Sequence, residues 1–122
     1  MRNYRDLVVL QKAHQVTLHL YKVTRRFPKD ELFGLTSQIR RAAASIGANL
    51  AEGCGRQSDP EFGRFLTIAM GSASELSYHL LLAKDLALLP EADYAFLNTD
   101  VDEVRKMLTA LTAKVKRSDA NS

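Results

Sequence analysis

Polar side chains recur every three or four residues in the middle of the chain, and no other set of residues is better placed to carry chemistry. The row consists of Gln38, Arg41, Ser45, Asn49 and Glu52. At about 100° per residue, this spacing places all five on one face of a helix. Such a row could line a binding groove or hold a network of structural hydrogen bonds.

Glu75 joins this row from the next predicted helix, and the six residues together are called the polar seam. If the two helices pack antiparallel about the turn near residue 56, Arg41 and Glu75 lie at comparable depth. We favour a structural network in which Arg41 pairs with Glu75 or Glu52, because a buried charge has to be paired. The alternatives are a binding groove, or an active site built from the same three residues.

The other reactive residue types do not form a catalytic or metal-binding pattern. Cys54 is the single cysteine and lies where a helix is predicted to end. His14 and His19 are five residues apart and point in different directions, whereas Glu75 and His79 are four apart on one face. A di-iron bundle requires two Glu-x-x-His repeats and two further glutamates. We therefore predict a protein that is not an enzyme and that binds no cofactor or metal.

Basic residues are concentrated in the first half of the chain. Residues 1–58 contain ten Lys or Arg and four Asp or Glu, a net charge of +6, whereas residues 59–122 contain seven and ten, a net charge of −3. This asymmetry can indicate a surface that faces nucleic acid, or two halves that attract each other across a subunit contact. A phosphate backbone would be attracted to the basic residues at the two ends of the first helix. The candidate contacts with RNA or DNA are Arg25, Arg26, Lys29, Arg2 and Arg5.

Four amphipathic helices have to position these residues. Apolar periodicity predicts helices over about Tyr4–Arg26, Phe33–Glu52, Pro60–Leu88 and Pro90–Arg117. The connections are short, so each helix should return antiparallel to the one before it. The sequence therefore predicts an all-α fold, an antiparallel up-down-up-down four-helix bundle over residues 1–117. The polar residues 118–122 are predicted to form a frayed tail.

Small residues form a further surface on the second and third helices. Apolar and small residues on several sides of a helix indicate burial on several sides, which a bundle of this size achieves with a second subunit. We therefore predict a homo-oligomer. Its packing residues are Ala44, Gly47, Ala48, Gly63 and Gly71. Gly53 and Gly55 are instead predicted to supply the C-cap of the second helix.

Composition is typical of a soluble globular protein, with 46% hydrophobic and 25% charged residues. One cysteine cannot form an internal disulfide, which favours a reducing compartment and hence the cytoplasm. The longest apolar stretch, near residue 82, is interrupted by Lys84 and Asp85 and falls short of the roughly 20 residues of a membrane span. No membrane partner is predicted.

The central segment resembles a known family: the bacterial four-helix bundle proteins named for the intervening sequence of 23S ribosomal RNA. The shared pattern extends over nearly the whole chain, and its Asn-Leu-Ala-Glu-Gly segment is specific. The residues that carry it are Phe27-Pro28, Glu31, Gly34-Leu35, Gln38, Arg40-Arg41-Ala42, Ser45-Ile46, Asn49 to Gly53, Arg56, Glu61-Phe62, Gly71-Ser72 and Glu75-Leu76.

This resemblance implies a closed ring of protomers, with five as the expected number. The chain is also similar to the accessory proteins of diversity-generating retroelements, which are basic bundles that bind nucleic acid and a reverse transcriptase. The expected partners are thus other copies of the chain, RNA or DNA, and a protein. The resemblance brings no catalytic residues with it.

Overall fold

Four long helices make up most of the computed structural model, which describes residues 2–121. Helix α1 spans Val8–Thr24, α2 spans Ser37–Cys54, α3 spans Asp59–Asp85 and α4 spans Glu91–Ala120. Residues 2–121 contain no β-strand. The predicted all-α, four-helix fold is confirmed.

Contacts between helices reveal their relative directions. Lys12 Nζ lies 3.0 Å from Asp100 Oδ1, whereas Arg26, farther along α1, lies opposite the earlier Asp93 of α4. The same reversal relates α2 to α3, in the contacts Ser45–Ser72 and Gly53–Phe62. Helix α1 packs beside α2 and α4, and α3 packs beside the same two helices. The two helices of each contacting pair, α1 with α4 and α2 with α3, are therefore antiparallel within a closed bundle.

The core is built from the predicted apolar stripes. Helix α4 follows the 3-4 spacing of a bundle helix, and its stripe is buried at Leu97, Val101, Val104, Leu108 and Val115. Phe62 at the start of α3 is fully buried. Because each stripe faces the bundle axis, the opposite side of each helix is left for polar and small residues.

Short turns precede α1 and α2. Asn3 accepts a hydrogen bond from the backbone N–H of Arg5 and so caps a 3-10 turn at Tyr4–Asp6, after which an extended Leu7 separates this turn from α1. Before α2, a 3-10 turn at Lys29–Glu31 leads into a π-helical turn at Leu32–Thr36. Regular helix thus begins later than predicted in both places.

Gly55 is the C-cap of α2, as predicted, whereas the end of α3 differs from the sequence-based expectation. No glycine among residues 2–121 has a positive φ, and Gly55 ends α2 with an ordinary helical φ of −81°. The left-handed residue is Ala87, with φ 61°, just after α3. Backbone N–H groups of Ala87 and Leu88 donate to the carbonyls of Lys84 and Ala83, the pattern of a Schellman motif. Helix α3 therefore ends at Asp85 rather than at Leu88.

The last helix runs beyond its predicted end. It continues to Ala120, so residues 118–120 of the expected frayed tail are helical, while Ser122 lies outside the described residues. Across residues 2–121, every helix is too short or too polar to cross a lipid bilayer.

Candidate functional site

The polar seam divides into a half-buried part and an exposed part. In the half-buried part, the hydroxyl groups of Ser45 and Ser72 lie 2.9 Å apart and connect α2 to α3. Asn49 Nδ2 donates to the carbonyl oxygen of Ser45 at 2.8 Å and to its hydroxyl oxygen at 3.0 Å. This part of the seam is a hydrogen-bond network that links α2 to α3, and it contains neither of the predicted ion pairs of Arg41.

The charged part of the seam does not converge. Gln38, Arg41, Glu52 and Glu75 are all exposed. Arg41 forms no ion pair within the described residues, so the predicted pairing of Arg41 with Glu75 or Glu52 is wrong for the single chain. The reason is its position at the outer edge of α2, where a long side chain can keep its charge in water and avoid the cost of desolvation.

Each seam carboxylate has a nearby partner on its own helix or just beyond it. Glu52 Oε1 lies 3.1 Å from a guanidinium nitrogen of Arg56. Glu75 Oε1 lies 4.0 Å from Nδ1 of His79, a buried side chain whose Nδ1 has no hydrogen-bond partner among the described residues. Among the described residues, neither carboxylate forms an ion pair with Arg41. No group of three or more His, Cys, Asp or Glu within residues 2–121 is arranged to hold a metal ion.

Arg2 is committed to contacts within the chain. Its backbone N–H donates to the carbonyl of Cys54 at 2.9 Å. Its guanidinium lies 2.9 Å from Asp59 Oδ1 and 4.1 Å from the ring centroid of Phe62. Arg2 thus fastens the N-terminal segment across the α2–α3 loop, which removes it from the free nucleic-acid contacts. The neighbouring Arg5 is exposed and lies over the ring of Tyr4.

The other three basic candidates lie between the end of α1 and the start of α2. Arg25, Arg26 and Lys29 are all exposed. Arg26 approaches Asp93 at 3.8 Å with 72% of its side chain exposed, a loose pair that contributes little in water. Arg25 and Lys29 form no ion pair with any described residue. A cluster of positive charge therefore remains at this end of the bundle.

Some of the basic residues in the first half of the chain form ion pairs with acidic residues in the second half. Lys12 Nζ lies 3.0 Å from Asp100 and 3.5 Å from Glu103, which joins the basic α1 to the acidic first half of α4. The hydrogen bond to Asp100 raises the pKa of Lys12 above its usual value. Attraction between the two halves of the sequence therefore operates between helices of one chain.

The small residues on α2 and α3 leave open surface. Ala44, Ala48 and Gly71 are exposed, while Gly47 and Gly63 are half-buried. A Cβ atom added at any of the three glycines would meet nothing within 4 Å. On the α2 side these residues line a groove of about 210 Å³ between α1 and α2. Within residues 2–121, no close contact therefore requires a glycine at positions 47, 63 or 71.

Two features were not anticipated from the sequence. A Cβ at Gly53 would lie 2.8 Å from Phe65 Cβ and 3.1 Å from Phe62 Cδ1, so Gly53 allows α2 and α3 to approach closely. Phe33 is 94% exposed, although the sequence places it simply at the start of the second helix. The Gly-Leu that follows Phe33 is the one signal that could have indicated an interrupted helix start.

The thiol of Cys54 is buried, and burial raises its pKa.

Together, the four packed helices define an all-α four-helix-bundle protein. Residues 5–110 match the family described as 23S rRNA-intervening sequence protein, and the chain belongs to that family.

A solved structure shares the fold. The chain is similar to a protein of unknown function from the S23 ribosomal protein family of Bacteroides thetaiotaomicron, with a TM-score of 0.81 and 28% sequence identity. The similarity covers 87% of this chain and 96% of the other. No curated protein matches the chain.

Proposed function

We propose that the protein is a non-enzymatic homo-oligomeric scaffold that contacts RNA through Arg25, Arg26 and Lys29. The observation that carries this proposal is the cluster of positive charge at the α1–α2 connection, where Arg25 and Lys29 lack a carboxylate partner among the described residues. Exposed cations that are not neutralised within a protein attract a phosphate backbone and release its counterions on binding. Contacts of this kind are nearly indifferent to base sequence.

Assembly is the second part of the proposal. The open small-residue surfaces on α2 and α3 would allow the helix backbones of two chains to approach closely, and the family resemblance favours a closed ring of five. A ring repeats the basic cluster once per protomer, so individually weak contacts add by multivalency. Oligomerisation thereby compensates for a net charge of only +3 per chain.

The RNA contact is tested by titrating salt against binding of a structured RNA. The wild-type affinity should fall steeply as salt rises. The slope of log affinity against log salt concentration should be lower by up to about three in the Arg25→Gln, Arg26→Gln, Lys29→Gln triple variant. A matched control replaces three exposed cations of α4, Lys106, Lys114 and Arg117, with Gln. The control loses the same charge and should retain more of the wild-type slope.

Two results would refute this part of the proposal. Absence of binding at about 50 mM salt would leave a purely structural oligomer with no nucleic-acid role. Equal loss of slope in both triple variants would indicate a diffuse response to net charge rather than a contact at the α1–α2 connection.

Assembly is tested by light scattering on the wild type and on Gly47→Leu and Gly71→Leu. The wild type should be a multiple of the 13.6 kDa chain. Both sites have room for a side chain within one chain, so each variant should keep its helical content while assembly weakens by about 1–3 kcal/mol per site through overpacking. A wild-type particle of 13.6 kDa at micromolar concentration would refute the oligomer.

A further inference from the structure

Phe33 is held in an unusual position for a large apolar side chain. It lies in the π-helical turn Leu32–Thr36, next to Gly34, whose φ of −106° and ψ of −114° depart from helical geometry. The Glu31 carboxylate accepts a hydrogen bond from the backbone N–H of Leu35 at 3.2 Å and so caps the turn. With 94% of Phe33 exposed, the chain forgoes the burial free energy that this side chain could supply.

A cleft of about 420 Å³ lies beside Phe33, between the end of α1 and the start of α2. Its lining includes two aromatic and two basic side chains, Tyr21, Phe33, Arg40 and Arg41, and no carboxylate of the described residues. Arg40 is fixed in place, because its Nε donates to Thr24 Oγ1 at 2.9 Å and its guanidinium lies 4.8 Å from the Tyr21 ring centroid. The cleft therefore combines flat π surfaces with guanidinium groups.

We infer that this cleft binds an unpaired RNA base, which stacks on Phe33 while Arg41 contacts an adjacent phosphate. The inference rests on the proposed function and names the form of RNA that the protein selects. An exposed aromatic ring is a stacking surface for any base, and an arginine suits both phosphate pairing and stacking. A purely apolar partner would desolvate Arg41, which has no ion-pair partner among the described residues, whereas a nucleotide supplies both a ring and a negative charge.

Phe96 provides an internal comparison. It is also a phenylalanine with more than half of its surface exposed, at 57%. It lies on α4 between Asp93 and Asp100 in sequence, and its ring packs edge-on against His19 at a centroid distance of 5.3 Å. Carboxylates in this first half of α4 repel a phosphate backbone, so Phe96 should not act as a stacking site.

The test compares two RNAs with the same number of phosphates, a hairpin with an unpaired loop and a fully paired duplex. The wild type should bind the hairpin about tenfold more tightly, since stacking of one base on an aromatic side chain is worth this order of affinity. Phe33→Leu should remove the preference and leave duplex binding and its salt dependence unchanged. Phe33→Trp should retain the preference, and Phe96→Leu should have no effect. Arg41→Gln should weaken binding of both RNAs.

Each other outcome overturns the inference. If the wild type binds both RNAs equally, the RNA-binding function stands and the stacking site does not exist. If it binds neither, the proposed function fails as well. A retained hairpin preference in Phe33→Leu would place the selectivity elsewhere. A changed particle mass for Phe33→Leu in light scattering would identify the cleft as a subunit contact instead.

Discussion

Replacing Gly53 with alanine tests the closest approach between two helices of the bundle. The new Cβ would lie 2.8 Å from Phe65 Cβ, a carbon that cannot move without its backbone. It would also lie 3.1 Å from Phe62 Cδ1. Phe62 is fully buried and Phe65 is 5% exposed, so neither ring has free space to enter. The helices α2 and α3 would have to separate locally.

The magnitude follows from two opposing terms. Carbon atoms in contact prefer a separation of about 3.5–4.0 Å, so relief requires a shift of roughly 1 Å, and overpacking of this kind costs about 1–3 kcal/mol. Replacing glycine by alanine in a helix returns about 0.5–1 kcal/mol through the backbone entropy of the unfolded chain. We expect Gly53→Ala to lower the free energy of unfolding by about 1–2 kcal/mol.

Gly47→Ala is the matched control, because it is the same substitution on the same helix. Within a single chain a Cβ at Gly47 meets nothing within 4 Å, so only the favourable term acts on the fold of the chain and its stability should rise by about 0.5–1 kcal/mol. Denaturant unfolding followed by circular dichroism measures both changes. Light scattering at the same protein concentration separates any effect on assembly.

The two substitutions should therefore change stability in opposite directions, by a difference of about 2 kcal/mol. If Gly53→Ala stabilised the protein as much as Gly47→Ala does, the close packing of α2 against the Phe62 and Phe65 rings would be refuted.

Three further changes have defined outcomes. Ala87→Gly should raise the unfolding free energy by about 1 kcal/mol, because glycine adopts the left-handed φ of 61° without the Cβ clash, and an unchanged melting temperature would contradict this. Arg41→Ala should change stability by less than about 0.5 kcal/mol, since the side chain is exposed, whereas a loss of about 3–5 kcal/mol would reveal a buried partner in the assembly. Stability should fall at alkaline pH for two reasons. Burial raises the pKa of Cys54, so above about pH 8.5 the thiol ionises first in the unfolded chain and the unfolded state is favoured. The stabilisation from the Lys12–Asp100 pair is complete below about pH 10.4 and is lost as pH rises through the raised pKa of Lys12. Unfolding curves from about pH 7 to 11 measure this, and Cys54→Ala should remove only the earlier part.

The number of helices and the face that each one buries were determined by the sequence alone. Apolar periodicity is a local property, because residues three and four apart share a helix face whatever the helix packs against. The α4 stripe from Leu97 to Val115 is buried as its spacing predicts.

Which side chains meet across the bundle was decided only by the tertiary structure. Helix rotation and register depend on how side chains of two helices interdigitate, and a shift of one residue turns a side chain by about 100°. Arg41 accordingly lies in solvent instead of beside Glu75, and Lys12 meets Asp100 from a distant part of the sequence. For the same reason, two glycines of helix α2 have different surroundings. Gly53 is pressed against the Phe62 and Phe65 side chains while Gly47 faces open space, and the sequence, which assigned Gly53 to the C-cap, did not indicate this contact with α3.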